Sequence, residues 1–291
     1  VGEFYEQGNW YKGGVHQTLF SVWLYSVQQQ IYPRFPSGMP QEDLQRLRKL
    51  YDLSPDMPEI DWIKQLRKLP SIEWLVDAGA NTGPMETLMK RTPDHPDWYE
   101  GGLYHDNEEF NVPAFWFNSW FDVSQGPNLA VFNHARIKGK NERVREGQYM
   151  LMAPTLHCGF YRIPENEDLI VGELNIGNAT FPFYEQMFSF FDYYLKNKKS
   201  KVFKKLPKVQ YYTMGANKWQ SADAWPPEKA EEMTLFLSSN AGANSLFGDG
   251  KLIKHSRSPS ASDEFTYDPM NPVPALGGGV CCNKKAALGG S

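Results

Sequence analysis

The sequence predicts an α/β protein that changes to an all-β arrangement in its last third. Two short apolar runs, residues 112–117 and 148–154, show no alternation of polar and apolar side chains, as is typical of central strands covered on both faces. Helix-like segments follow them at 127–136 and 183–196, and strand alternating with helix indicates a parallel sheet. The strand-like segments after Lys208 have no helical pattern between or after them, which predicts a separate β region.

Composition excludes several classes of protein. The chain has 291 residues, 41% hydrophobic and 22% charged, enough to bury a core in about two domains. A net charge of −4 gives no reason to expect nucleic acid or an anionic membrane as a partner, and no apolar run approaches the roughly 20 residues of a bilayer span. Three cysteines without CxxC or HExxH spacing predict neither a disulfide scaffold nor a metal site. The first residue is Val1 and no signal peptide is visible, so the compartment stays open.

The N-terminal third predicts helices. The stretch from Tyr11 to Gln30 predicts a mostly apolar helix that begins after Gly13-Gly14. Residues 41–92 predict three short helices, over 41–51, 60–69 and 84–91. Leu or Ile recurs at spacings of three and four in the first two, and Pro or Asp lies between the helices. Short, interrupted helices between strand regions indicate a helical insertion or lid rather than a bundle.

The first strand-like segments after Lys208 are 209–214 and 233–237, which predict the start of an all-β domain. The lysine-rich tract from Lys196 to Lys208 lies at the boundary. We interpret it as a solvated helix end and linker, because cations are favourable at a helix C-terminus, rather than as an anion site.

Two ionisable residues follow the predicted parallel strands. Asp122 comes a few residues after the first strand and His157 follows the second, and functional groups in open α/β sheets lie beyond the carboxyl ends of strands. A His can take a proton from a hydroxyl nucleophile and return it to a leaving group, while an Asp fixes the tautomer of the ring and stabilises the imidazolium. Spacing alone leaves an alternative open, in which the Asp caps a helix and the His packs in the core.

The remaining candidates are weaker. The other histidines lie in a predicted helix or in loops, and the acidic group Asp106, Glu108 and Glu109 beside His105 lacks an EF-hand pattern, so a solvated loop is the interpretation. No Gly-x-Ser-x-Gly elbow occurs in the chain, so no nucleophile is evident. Cys158 adjoins His157 in the same loop, and we interpret it as a pocket or packing residue.

Several phrases resemble the cocaine-esterase and X-Pro dipeptidyl-peptidase hydrolases, the CocE/NonD family. The segment VQYYTMGANKWQSADAWPP with the later ANSLFGDG resembles the family's C-terminal jelly-roll start, and DEFTYDPMNPVPALGGGVCC resembles another family phrase. FFDYYLKNK resembles the segment before the domain junction, and WYKGGVHQTLFSVWLY resembles the stretch after the nucleophile elbow. VPAFWFNSWFDVSQGPN places Asp122 on the family's catalytic aspartate, and GQYMLMAPTLHCG places His157 on its catalytic histidine.

The resemblance covers nearly the whole chain and implies an internal piece of an α/β-hydrolase. Residues 1–30 and 97–203 would form a partial hydrolase core, residues 31–96 a helical cap, and residues 204–291 the beginning of a β jelly-roll domain, truncated. The nucleophilic Ser and the Tyr of the oxyanion hole would lie upstream of Val1, so the chain alone should be inactive.

The sequence departs from the family pattern at three places. Ala153-Pro154-Thr155-Leu156 precedes His157 where the family has a Trp, and Asn118-Ser119 replaces two Gly, which puts the pocket shape in doubt. In the related α-amino-acid ester hydrolases, acidic residues that bind a substrate ammonium follow the catalytic Asp. Here residues 123–125 are Val, Ser and Gln, which argues against recognition of a free α-amino group by that route.

The resemblance therefore implies a serine hydrolase of esters, amides or peptides that forms an acyl-enzyme, with Asp122 and His157 as two members of a triad. Trp116, Trp120 and Phe121 would lie near the acyl pocket and bind substrate. It implies no cofactor and leaves a homo-oligomer open. The alternative is a non-catalytic carbohydrate- or peptide-binding module, in which the 42 aromatic residues form the binding face. A distance of about 2.6–3.2 Å between the Asp122 and His157 side chains would favour the hydrolase.

Overall fold

The computed structural model describes residues 11–12, 15–19, 22–23, 25, 38–50, 60–79, 89–99, 108–255, 262–268 and 270–271. Within these ranges no helix is both long and apolar enough to cross a bilayer. The centre of the described part is a four-stranded mixed sheet with the strand order β3-β4-β7-β8. Its members are β3 (Ala114–Phe121), β4 (Gln148–Leu156), β7 (Val209–Thr213) and β8 (Lys218–Ala222).

The two apolar runs form the parallel pair that the sequence predicts. β3 and β4 run parallel from Ala114 opposite Gln148 to Phe121 opposite Leu156, and β4 is buried along nearly its whole length. Because successive side chains of a strand point to opposite faces, each strand contributes to two cores. This explains why neither run alternates between polar and apolar residues.

Helices cover both faces of the parallel pair. α4 (Gln125–Lys138) packs on one face, where Phe132 meets Met150 and Trp116. α6 (Phe183–Lys196) and the short α7 (Lys201–Lys204) cover the other face, where Phe190 and Phe203 meet Tyr149. A further turn of helix, α5 (Glu142–Arg145), connects α4 to β4. The α/β class predicted for this part of the chain is confirmed.

Local sequence explains where these helices begin and end. The side chains of Asn141 and Ser200 accept hydrogen bonds from the backbone N–H groups of Val144 and Phe203, which caps α5 and α7. Asn197 ends α6 in the left-handed conformation that Asn tolerates, and its N–H bonds back to the helix. The helix boundary predicted at 183–196 therefore agrees with the structure.

The N-terminal part differs from its prediction. β1 (Tyr11–Lys12) and β2 (Val15–His16) form a short antiparallel pair around Gly13-Gly14, so the helix expected to begin directly after these glycines begins later. The predicted helix at 41–51 is present as α1 (Gln41–Leu50). The second prediction, over 60–69, is reduced to α2 (Trp62–Gln65), and most of the third, over 84–91, lies outside the described residues.

Between and after the predicted helices the structure adds short elements that the periodicity did not indicate. They are a 3-10 turn at Ser71–Glu73, α3 (Trp74–Asp77) and a second 3-10 turn at Pro96–Tyr99. Tyr25 and Leu75 form a small buried cluster with Ile60, Trp62 and Met89. This cluster joins the first helical stretch to the interrupted helices.

The C-terminal part corrects the sequence reading of residues 209–222. β7 pairs in parallel with β4 and antiparallel with β8, so both strands extend the α/β sheet rather than opening a separate β region. The sequence could not show this, because a strand at the end of a sheet and a strand of a new domain have the same local pattern. Two other antiparallel pairs are β5 (Asp168–Val171) with β6 (Leu174–Asn178), and β9 (Phe236–Ser238) with β10 (Lys251–Ile253).

Candidate active site

The site lies where β3 and β4 end side by side. Phe121 is the last residue of β3 and Leu156 the last of β4, so Asp122 and His157 each directly follow a strand. Between Ser119 and Phe121 the register shifts, because two steps along β3 are matched by three along β4. Such bulges re-aim side chains at strand ends, and this one brings the residues after the two strands level with each other.

The Asp122 and His157 side chains form a direct hydrogen bond. His157 Nδ1 lies 2.8 Å from Asp122 Oδ2, within the range set out from the sequence. The Asp122 side chain is only 6% exposed, whereas that of His157 is 35% exposed. A carboxylate can only accept, so Nδ1 carries the proton and the lone pair of a neutral ring is on Nε2. The imidazole thus has one edge held by the protein and the other available to a substrate or nucleophile.

The second oxygen of Asp122 is also held. Asp122 Oδ1 accepts a hydrogen bond of 2.8 Å from the backbone N–H of Ser124, and the Asp122 N–H donates to the Ser119 carbonyl. Ser124, not Asp122, is the residue that precedes the first turn of α4. The alternative of a simple helix cap is therefore wrong for Asp122, because its carboxylate bridges the turn before the helix and the imidazole.

The pair perturbs the titration of the ring. The hydrogen bond that His157 donates to Asp122 raises the pKa of His157 above its usual value, because the carboxylate favours the charged imidazolium, while partial burial opposes this. A base with a moderately raised pKa holds a transferred proton more firmly. A proton taken at Nε2 would thus be stabilised by the buried carboxylate on the other side of the ring.

A second buried contact fixes the strand ends. Ser119 Oγ and Thr155 Oγ1 lie 2.6 Å apart between β3 and β4, and both residues are buried. The Ser119 N–H is capped by the Asn118 side chain. These hydroxyls satisfy each other directly beneath the Asp122–His157 pair, and sequence reasoning missed them because only the register of the two strands brings them together.

The turn after His157 is tight. Cys158 has a φ of +54° and is exposed, so it does not pack in the core, and its role in a pocket stays a prediction. Gly159 follows, and a Cβ there would lie 2.8 Å from Thr155 Cβ. The Gly159 N–H donates to the Leu156 carbonyl, which closes the turn around His157. The sequence signal for this turn was the glycine two residues after the histidine.

The aromatic residues proposed for substrate binding occupy different places. Trp116 donates its indole N–H to Gln148 Oε1 and packs in the core below α4. Trp120 donates to the Tyr212 carbonyl and packs against Trp225, and Phe121 packs beside Tyr212. Trp120 and Phe121 adjoin Asp122 in the chain, whereas Trp116 lies half a strand away. Substrate binding stays a prediction for all three.

The structure leaves the other candidates apart from this pair. His134 Nε2 lies near the Glu108 carbonyl on the outside of α4, and His95 lies beside Asp97. His16 is in β2 and so not in a helix. Among the described residues no group of three or more His, Cys, Asp or Glu could hold a metal ion, and no hydroxyl hydrogen-bonds to His157. The described part of the chain therefore brings Asp122 and His157 together without a hydroxyl bonded to the ring.

The fold and the pair together are of the α/β-hydrolase class. In this class a histidine hydrogen-bonds to a buried aspartate at the carboxyl edge of a parallel sheet. Comparison with known proteins agrees. The X-Pro dipeptidyl-peptidase (S15 family) model matches residues 2–159, more than half of the chain, and the X-Pro dipeptidyl-peptidase C-terminal non-catalytic domain matches residues 200–286. The chain belongs to the X-Pro dipeptidyl-peptidase (S15) family, and the resemblance to CocE/NonD hydrolases is confirmed.

Individual relatives are similar over parts of their length. The cocaine esterase of Rhodococcus sp. (strain MB1 Bresler) is 27% identical over 198 residues, which are 66% of this chain and 32% of that protein. An aminopeptidase of a marine sediment Thaumarchaeota archaeon is 25% identical, with a TM-score of 0.43 over 58% of this chain and 25% of its own. A CocE/NonD family hydrolase of Staphylococcus aureus is 17% identical, with a TM-score of 0.37 over 62% and 29%. The chain thus spans about a third of the length of the curated relative, and the family assignment rests on the sequence matches.

Proposed function

We propose that the polypeptide containing this chain is a serine hydrolase of esters, amides or peptides that works through an acyl-enzyme. The observation that carries the proposal is the 2.8 Å hydrogen bond between His157 Nδ1 and the buried Asp122 carboxylate. Membership of a peptidase family and the similarity to a cocaine esterase support hydrolysis as the reaction class. The alternative of a non-catalytic binding module would have gained support if Asp122 and His157 lay far apart, and their side chains are in hydrogen-bond contact.

The pair would act in two half-reactions. A serine hydroxyl gives its proton to His157 Nε2 while its oxygen forms a bond to the substrate carbonyl carbon, and Asp122 stabilises the resulting imidazolium. The tetrahedral intermediate breaks its bond to the leaving group, which takes the proton from Nε2 and departs as an alcohol or amine. Water then repeats the sequence on the acyl-serine, which releases the acid and regenerates both residues.

The nucleophile is proposed to come from a part of the polypeptide outside this chain. Within the described residues no hydroxyl approaches His157, and the chain contains no Gly-x-Ser-x-Gly. The curated relative is about three times as long as the matched segment, so a segment of that kind has room in a family member. On this proposal the chain by itself is inactive.

The remaining parts of the proposal concern the surroundings of the pair. We propose residues 31–96 as a helical cap over the acyl pocket, with Trp120 and Phe121, and then Trp116, nearest the acyl group. Residues 204–291 would begin a jelly-roll domain, and the short pair of β9 and β10 lies in that part of the chain. β7 and β8 lie within the residues 200–286 that the C-terminal domain model matches and pair with the central sheet, so they would connect the two parts.

A fluorophosphonate probe tests the proposal. The full-length polypeptide should be labelled on a serine and the chain alone should not. Replacing His157 with Ala should lower kcat/KM on a p-nitrophenyl ester by about 10³-fold or more, because the base is lost. His134→Ala is the matched control, since that histidine lies on the outside of α4 beside the Glu108 carbonyl, and it should leave turnover unchanged. Undiminished turnover in His157→Ala would remove the assignment.

A further inference from the structure

A cavity lies at the opposite end of the central sheet from the Asp122–His157 pair. Its volume is about 440 Å³, within the range of small-molecule sites, and it opens to solvent. Tyr149, the second residue of β4, lines the cavity, whereas His157 follows the last residue of that strand. At about 3.3 Å per residue these two residues are roughly 26 Å apart, so the cavity is separate from the candidate active site.

Three cationic side chains from separate segments converge on this cavity. Arg143 comes from α5, Lys199 from the connection between α6 and α7, and Lys208 from the residue before β7. Both lysines belong to the lysine-rich tract that the sequence alone indicates to be a solvated helix end and linker. In the structure the Lys208 side chain is only 24% exposed. Part of the tract therefore lines a cavity instead of lying free in solvent.

Each of the three cations lies over a tyrosine ring. The distances from the cation to the ring centroid are 5.6 Å for Arg143 over Tyr194, 5.9 Å for Lys199 over Tyr193 and 4.4 Å for Lys208 over Tyr149. Lys208 also has an ion pair of 3.6 Å with Glu146. Within the described part of the chain, neither Arg143 nor Lys199 lies within ion-pair distance of a carboxylate. Two of the three cations are thus without a counter-ion among the described residues.

The charges around the cavity do not balance. Three cations and two carboxylates, Glu142 and Glu146, line it, which leaves a net charge of +1. Burial lowers the pKa of Lys208, because a half-buried ammonium has lost part of its hydration, while the nearby Glu146 carboxylate opposes this shift. An anion in the cavity would stabilise the ammonium. A single negative charge is enough to neutralise the lining.

Aromatic rings form the rest of the lining. Tyr193 stacks on Phe203, with ring centroids 4.0 Å apart and 19° between the planes. The rings of Tyr149 and Tyr194 lie 5.8 Å and 5.9 Å from Phe203. Burial raises the pKa of both Tyr149 and Tyr194, so their hydroxyls stay protonated and can donate hydrogen bonds. The cavity thus combines flat apolar surface, hydroxyl donors and an uncompensated positive charge.

We propose that this cavity binds a small aromatic carboxylate. The carboxylate accepts hydrogen bonds from the Arg143 guanidinium, whose parallel N–H groups match its two oxygens, and from the Lys199 ammonium. The aromatic body of the ligand packs against the rings of Tyr193 and Phe203. A monoanion fits the net charge of +1 better than a dianionic phosphate does. The site does not depend on the proposed hydrolase activity, because it lies at the other end of β4.

Isothermal titration of the full-length polypeptide that contains this chain tests the site. The probe 2-naphthoate should bind with a Kd of about 1 mM or lower. Its neutral isostere 2-naphthamide and the ring-free anion acetate should each bind at least about tenfold more weakly, since each lacks half of the recognised chemistry. Equal affinity for the acid and the amide, or no binding of 2-naphthoate at about 10 mM, would overturn the proposal.

Substitutions assign the binding to the cavity. Arg143→Ala should weaken 2-naphthoate binding by about tenfold or more, and Arg143→Lys, which keeps the charge without the planar fork, should give an intermediate Kd. Lys204→Ala is the matched control, because Lys204 is exposed on α7 and does not line the cavity. Lys199→Ala tests the same contact should Arg143→Ala fail to fold. Equal weakening in Arg143→Ala and Lys204→Ala would show general charge attraction and refute the site.

His157→Ala separates the cavity from the candidate active site. This variant should bind 2-naphthoate with the Kd of the wild type, since the ring lies roughly 26 Å from the cavity. Binding that His157→Ala abolishes and Arg143→Ala leaves intact would place the probe at the candidate active site and refute the proposal. Fluorophosphonate labelling, which reports the proposed function, is independent of either result.

Discussion

Replacing Asp122 with Asn in the full-length polypeptide tests the geometry of the pair most directly. The Ser124 N–H, 2.8 Å from Oδ1, needs an acceptor, so the amide oxygen of an Asn should stay in that place. The amide NH₂ is then forced toward His157 Nδ1, which at present donates to Oδ2. Two donors cannot face each other, so the ring should change to the tautomer that carries its proton on Nε2. That tautomer cannot accept a proton from a serine.

The expected loss follows from this tautomer change. Turnover of a p-nitrophenyl ester should fall by about 10⁴-fold, which corresponds to about 5.4 kcal/mol of transition-state stabilisation. Asp192→Asn is the control, since the Asp192 carboxylate pairs with Lys196 on the surface of α6, and its turnover should stay within about twofold of the wild type. ¹⁵N NMR of the ring reports the tautomer independently of activity. A kcat/KM within tenfold of the wild type, or a proton that stays on Nδ1, would refute this reasoning.

The same contacts support three further predictions. Asp122 raises the pKa of His157 in the folded state, so the pH-dependent stability from this pair should be present below about pH 6.5 and lost as pH rises through the folded pKa. The Tm of the chain should therefore exceed that of His157→Gln by less as the pH rises. A difference in Tm that grows with pH would contradict this. Ser119→Ala leaves the buried Thr155 hydroxyl without its partner and should lower the free energy of unfolding, measured in urea, by about 1–3 kcal/mol. Adding Thr155→Val should recover part of this loss. Equal losses in the single and double variants would argue against the contact. Gly159→Ala should lower Tm and turnover, because the new Cβ would lie 2.8 Å from Thr155 Cβ. Gly126→Ala is the control, since Gly126 has open space around it in α4 and an alanine there should be neutral or stabilising. Similar effects at the two glycines would refute the tight turn.

The sequence was informative where local pattern and burial agree. The runs that became β3 and β4 have no polar alternation because helices cover both faces, and that is visible in the residues themselves. The boundaries of α6 were also visible, since Pro182 precedes the helix and Asn197 ends it. The position of Asp122 and His157 after two predicted strands made them the candidate pair, and the structure brings their side chains to 2.8 Å.

Other features depended on pairing between distant segments, which a single sequence does not display. β7 reads locally as a strand of a β domain, and only its parallel pairing with β4 shows that it extends the central sheet. The shift in register after Ser119 and the contact between its hydroxyl and Thr155 likewise depend on how two strands align. The antiparallel pairing of β1 with β2 was likewise missed, because the apolar pattern of the following residues indicated a helix.

The two nitrogens of the His157 ring differ in the contacts that surround them. Everything that holds the imidazole is supplied by the chain itself: the carboxylate on Nδ1, the Ser124 N–H that fixes that carboxylate, and the hydroxyl contact that aligns the two strands beneath it. On the Nε2 side the described residues supply no hydrogen-bond partner, so the ring is held from the Nδ1 side only.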